Sequence, residues 1–177
     1  MGAGMNVYVA VFLFRKNRVL LLERASRKGF APGRWTGVGG RAEPGEMDDL
    51  EAVVFREVSE ETGIEAEEIR NLEIRIVLTR IEDGDLTTVV FFSGYTDRES
   101  LDECNEGRLQ WVEVDRVDDL DLVENARYAL NLALQAKESA FPGLFLAVEE
   151  AGCGGAIRAV KVNPPVSGYS PGTRETQ

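Results

Sequence analysis

The segment Arg56-Glu57-Val58-Ser59-Glu60-Glu61-Thr62-Gly63-Ile64 constrains this chain more than any other. Leu50, Val53, Val54 and Val58 recur at helical spacing as an apolar stripe, so a helix is predicted over residues 49–62. Asp48 or Asp49 can cap its start, and Gly63 followed by apolar Ile64 stops it in the manner of a Schellman motif. On such a helix Glu57, Glu60 and Glu61 stand at i, i+3 and i+4 and share one face. Arg56 lies four residues before Glu60 and can brace it. An arbitrary E-x-x-E-E is most often a solvated acidic face. Three like charges on one turn nevertheless repel, at a cost on the order of 4 kcal/mol per pair at about 4 Å and an effective dielectric of about 20. A hard dication reverses that sign, because oxygen-only ligands suit magnesium or manganese.

Composition closes several other routes. Among 177 residues there is no histidine, which removes Ser-His-Asp and Cys-His chemistry and every histidine-based metal site. Cys104 and Cys153 are too few for a zinc cage and read as idle or buried thiols. A formal net charge of -11 makes duplex nucleic acid and anionic membranes poor partners, since both require a basic face. The apolar run Val7–Phe14 is short and is followed by Arg15 and Lys16, so it reads as a strand and not as a signal peptide or membrane span. A cytoplasmic protein, monomer or homodimer, is expected.

Strands are predicted at Val7–Phe14 and Arg18–Glu23 around a Lys16-Asn17 turn, at Leu72–Thr79 and Leu86–Tyr95 around Asp83-Gly84, and at Gln110–Val114. A second helix is predicted over Val123–Lys137, with Ala126, Leu130, Ala133 and Leu134 on one side. Leu144–Val148 and Ala156–Val162 read as a last pair of strands around a Gly152–Gly155 turn. Residues 25–45 form a Gly- and Pro-containing loop of the long kind that is often functional. This order predicts an α+β protein, an α/β/α sandwich with a mixed sheet between helices. Residues 1–163 form one domain, and the Pro-, Gly-, Ser- and Thr-rich residues 164–177 a disordered tail.

Just upstream of the acidic helix stands Gly37-Val38-Gly39-Gly40-Arg41, whose glycines allow the main chain to approach a metal or phosphate closely. Together the two segments resemble the Nudix box, G-x5-E-x7-R-E-U-x-E-E-x-G-U with U bulky and apolar. Gly40, Glu46 and the run from Arg56 to Ile64 supply its fixed positions, but nine residues, not seven, separate Glu46 from Arg56. The two extra residues are assigned to Met47–Asp49. Either Glu46, or Asp48 counted back from Arg56, is the candidate for the family's acidic brace of the loop.

The loop Gly29-Phe30-Ala31-Pro32-Gly33-Arg34-Trp35-Thr36-Gly37 resembles that of the MutT-type, 8-oxo-dGTP diphosphatase-like branch, with Thr36 in place of an Asn. Glu124-Asn125 is similar to that branch's purine-binding pair, Phe141-x-Gly143-x-Phe145 to its C-terminal hairpin, and Glu106-Gly107 to the start of an E-G-x-x-x-W-V segment. The resemblance covers about residues 5–163. It implies a Nudix fold and magnesium-dependent hydrolysis, with manganese a substitute, of an oxidised or normal purine nucleoside triphosphate to monophosphate and pyrophosphate. The implied metal ligands are Gly39, Glu57, Glu60, Glu61 and Glu106. Glu57, Glu60, Glu61, Glu106 and Arg56 form the implied catalytic set, and Phe30, Arg34, Thr36, Gly40, Glu124 and Asn125 meet substrate. Alternatives are a hydrolase of ADP-ribose or another nucleoside diphosphate derivative, and a non-catalytic nucleotide-binding module. Trp111 and Tyr128 read as core.

Overall fold

The computed structural model describes residues 4–27, 29–82, 84–138, 144–149 and 156–162. Strand β1 (Met5–Arg15) is the hub. One edge pairs in parallel with β5 (Asp85–Tyr95), from Met5 opposite Leu86 to Phe14 opposite Tyr95. The other edge is divided. Near the Lys16-Asn17 turn it joins β2 (Arg18–Arg24) through only two pairs, Phe14 with Val19 and Arg15 with Arg18. Further back it takes the glycine loop: Val9 N–H donates to Gly40 O at 2.9 Å and Val11 N–H to Val38 O at 2.8 Å.

The first hairpin is therefore shorter than the two predicted strands allow. β2 leaves β1 and continues antiparallel to β6 (Gly107–Glu113), with the two-residue β3 (Trp35–Thr36) alongside its end. On the far side, β4 (Arg70–Glu82) pairs antiparallel with β5, β7 (Leu144–Glu149) runs parallel to β4, and β8 (Ile157–Val162) closes the sheet antiparallel to β7.

Alternation along β1 feeds two cores. Val7, Val9, Val11 and Leu13 pack toward helix α1 (Leu50–Thr62) on Val53, Val54 and Val58. Ala10, Phe12 and Phe14 pack toward helix α2 (Glu124–Glu138) on Ala126, Ala129, Leu130 and Ala133. A strand covered on both faces reads as a continuous apolar run, which is why Val7–Phe14 shows no polar alternation. The result is the expected mixed sheet between helices. Phe12 and Phe91 stack at 6.1 Å in the α2-side core, where truncation of either ring would cost about 3–5 kcal/mol.

Of the two candidate caps, Asp49 is the one used: its Oδ1 accepts Ala52 N–H at 3.0 Å. Gly63 ends α1 at φ 72°, its N–H on Ser59 O. Ile64 N–H donates to Thr62 Oγ1 at 3.1 Å, so the stop is a left-handed cap without the second Schellman bond. Val114, read as a strand end, instead opens a 3-10 turn through Asp119, and a second 3-10 turn at Ala66–Glu68 was not foreseen. Trp111 and Tyr128 are half-buried against the cores. Asp83, Phe141, Gly143, Cys153, the Gly152–Gly155 turn and the tail 164–177 lie outside the described residues. No described helix is long and apolar enough to cross a membrane.

Candidate active site

The glycine loop is held on β1 at the same height as the acidic face of α1. Gly39 sits at φ 150°, and a Cβ there would run into the Val9 carbonyl, so only glycine lets the loop lie this close to the strand. At Gly40 a Cβ would strike the Glu57 carboxylate. Loop main chain and helix side chain are thus in direct contact.

Glu61 is 7% exposed, and its Oε2 accepts Gly39 N–H at 3.2 Å. Burial pushes its pKa up to about 7, with the Gly39 N–H opposing and the charges of Glu57 and Glu106 adding to the rise. Burial also raises Glu57, against the pull of Arg56. Glu60 is far more open, its side chain 62% exposed.

Arg56 organises this corner. Its Nη1 donates to Glu57 at 2.8 Å and only distantly, at 3.4 Å, to Glu60. Its Nε and Nη2 each meet Glu46 at 3.0 Å as a fork on a carboxylate. Glu46 is therefore the brace between loop and helix, while Asp48 is exposed. The two extra residues are absorbed in a turn at Met47-Asp48, after which Asp49 N–H returns to Glu46 O at 3.2 Å. Arg56 thus reaches Glu60 as expected, but at longer range than Glu46 and Glu57, which take most of its guanidinium.

Among the described residues no three acidic or thiol side chains stand close enough to grip one ion as they lie. Glu57 turns to Arg56, Glu61 to the Gly39 amide and Glu60 toward solvent, an arrangement that separates like charges.

A cleft of about 1260 Å³ gathers the rest. Gly39, Gly40, Glu57, Glu60 and Glu61 form one wall, and Cys104 and Glu106 join it from the loop before β6. Phe30, Thr36 and Asn125 line it as well. Its floor is made of register partners on β1 and β5: Asn6 with Thr87, Tyr8 with Val89, Ala10 with Phe91. Arg80 of β4, opposite Thr87, extends that floor.

Arg34 and Glu124 are not on the lining. They face each other through two 3.0 Å contacts, and Arg34 Nη2 also donates to Leu122 O at 2.7 Å. The pair ties the loop to the start of α2, and the guanidinium holds the Glu124 carboxyl below its usual range.

Sequence reasoning missed Arg24, Asn6, Tyr8, Arg80 and Thr87. Arg24 Nε donates to Phe30 O at 2.8 Å, and its guanidinium lies 5.5 Å from the center of that ring. The floor residues left one signal: Asn6 and Tyr8 stand two apart, as strand neighbours on one face do.

Residues 5–133 match the family profile described as the NUDIX domain. The oxidized purine nucleoside triphosphate hydrolase of Mus musculus is 30% identical over 132 residues, which span 75% of this chain and 81% of that protein. A MutT protein from Bacillus halodurans superposes with a TM-score of 0.70 at 21% identity, over 87% of this chain and 97% of its own. The NUDIX domain of NrtR from Shewanella oneidensis, solved with ADP-ribose, gives a TM-score of 0.57 at 19% identity, over 78% and 88% of the two chains. At these identities the structural likenesses concern the fold.

Proposed function

Because this chain belongs to the Nudix hydrolase family, we propose that it hydrolyses a purine nucleoside triphosphate to the monophosphate and pyrophosphate, with magnesium as its metal. The observation that carries the reading is the shared cleft: Gly39, Gly40, Glu57, Glu60, Glu61 and Glu106 border the same space as Phe30, Thr36 and Asn125. The similarity to the mouse hydrolase supports the purine triphosphate as substrate.

The donor set fits a hard dication. Its ligating atoms are carboxylate and main-chain oxygens, the chain has no histidine, and among the described residues Cys104 is the only thiol on the lining. Burial at Glu61, with the charges of Glu57 and Glu106 nearby, makes a positive charge favourable there. The Gly39 carbonyl, Glu57, Glu60, Glu61 and Glu106 would hold magnesium, or manganese as a substitute. When bound, these ions supply Lewis acidity toward phosphate and water oxygens.

The protein's own groups do the positioning. Arg56 and Glu46 fix Glu57 beside Gly40, and the Gly39 amide fixes Glu61. Glu60, exposed at the cleft edge, or Glu106 takes the proton of the attacking water. Water oxygen replaces the leaving oxygen on a phosphorus of the chain, and pyrophosphate departs. Phe30, Thr36 and Asn125 hold the base, and Arg34 with Glu124 steadies the loop that carries Phe30 and Thr36. As a unit, residues 1–163 form the catalytic domain.

The test is turnover on a panel of oxidised and normal nucleoside triphosphates, with ADP-ribose included, in magnesium and then manganese, scoring pyrophosphate against phosphate. Pyrophosphate release from a purine triphosphate is the expected result. Turnover of ADP-ribose alone, or of nothing, contradicts the assignment.

A further inference from the structure

Seven polar or charged residues are buried among those described: Glu61, Thr62, Arg75, Thr87, Ser93, Thr96 and Asn125. Five have side-chain partners. Glu61 takes the Gly39 amide, Thr62 Oγ1 donates to Val58 O, Arg75 Nε donates to Ser93 Oγ, and Thr96 Oγ1 accepts Arg98 N–H. Thr87, 4% exposed, and Asn125, 7% exposed, make no side-chain hydrogen bond to any described residue. Both line the one cleft. Among the described residues the one fully enclosed side-chain atom without a partner is Arg15 Nη1, so the polar atoms of Thr87 and Asn125 are open to the cleft, where a ligand or water is the partner left to them.

Asn125 was already assigned to the base. Thr87 was not. It sits on the floor in β5, where the strand neighbours Asn6 and Arg80 flank it in register. Asn6 is committed through Oδ1 to Arg41 Nη2 at 2.8 Å, and Arg80 to Glu149 at 3.4 Å. The Thr87 hydroxyl can both donate and accept, and so can the Asn125 amide. A charged group is a poor match for two neutral, ambivalent partners. A neutral heterocycle edge, which alternates donors and acceptors, is a good one.

We propose that Thr87 is a specificity-determining residue whose hydroxyl, with the Asn125 amide, hydrogen-bonds the edge of the substrate's nucleobase. This deepens the reading of the cleft as a purine nucleotide site and rests on it. Removing one such bond to a neutral group is worth about tenfold in affinity.

The experiment compares the wild type with Thr87→Val, which keeps the shape and removes the hydroxyl, and with Thr87→Ser, which restores a hydroxyl. Steady-state rates are measured on the preferred purine triphosphate and on an analogue whose base lacks the 6-substituent. Thr87→Val is expected to raise KM about tenfold on the full base, to discriminate less between the two bases than the wild type does, and to be rescued by Ser. Equal discrimination by wild type and Thr87→Val, or a loss that falls on both bases alike and is not rescued by Ser, overturns the assignment. If the wild type turns over no purine triphosphate, the catalytic reading fails by itself. Calorimetric binding of purine nucleoside monophosphates then decides this one, and undetectable binding, or equal affinity for wild type and Thr87→Val, overturns it.

Discussion

The two parts of the cleft are built on opposite principles. At the acidic corner every buried polar group is engaged within the protein: Glu61 by the Gly39 amide, Glu57 by Arg56, and Arg56 by Glu46. Across the cleft, Thr87 on the floor and Asn125 at the start of α2 are buried and make no side-chain hydrogen bond to a described residue. The corner concentrates negative charge and restrains it with a guanidinium and an amide. The other side pairs Arg80 with Glu149 and leaves the hydrogen-bonding capacity of Thr87 and Asn125 open. A corner of that kind suits charge chemistry on a phosphate chain, and a floor of that kind suits recognition of an uncharged ring.

The largest effect expected from the corner is on turnover. Glu61→Gln should lower kcat by at least about a hundredfold in magnesium. The same change should stabilise the metal-free protein in alkaline buffer. With the carboxyl raised from 4.5 to about 7 in the folded state, stability is fullest below about pH 4.5 and is lost as pH rises through about 7. Gln keeps an acceptor for the Gly39 amide and does not ionise. Thermal denaturation in chelator at pH 8 should therefore favour the variant by up to roughly 3 kcal/mol, and the gain should vanish near pH 4.5. No difference at pH 8 would mean that burial does not strain this carboxylate.

Next in size is the brace. Glu46→Gln removes the charge that holds Arg56 in place, and a tenfold fall in kcat/KM is expected, on the order of supporting-residue losses elsewhere. Asp48→Asn at the neighbouring position should change little, and the reverse ranking would restore Asp48 as the brace. Smaller still is the strap. Arg34→Met breaks the pair with Glu124, which is largely exposed, so KM should rise by about threefold or less. A tenfold rise would place Arg34 on substrate. Smallest of all is the insertion: deleting Met47 and Asp48 should leave kcat/KM within about twofold, because that turn only reconnects Glu46 to Asp49.

The same contrast explains what the sequence made legible. The corner is carried by contiguous residues, 37–41 and 56–64, and helical period alone puts Glu57, Glu60 and Glu61 on one turn. Its spacing was readable even across the two-residue insertion, although which acid acts as the brace was not, because that depends on how a turn is threaded. The floor draws on Asn6, Arg80 and Thr87, positions that come together only through the β1–β5 and β4–β5 registers, and Asn125 joins the cleft from α2. A strand pattern tells which residues share a face but not which strand lies beside it. Parallel pairing of β1 with β5, between which residues 16–84 intervene, has no local signature. The β1–β2 ladder is short for a reason equally distant in sequence: β1 gives most of that edge to the glycine loop.

Everything proposed for the corner requires that the glutamates of one helical turn and the glycine loop hold a dication. Manganese binding followed by calorimetry, on the wild type and on Glu61→Gln with the fold verified by circular dichroism, tests it most directly. Saturable binding to the wild type that weakens at least about tenfold in the variant is expected. Indistinguishable isotherms, or no heat from the wild type at all, would contradict it.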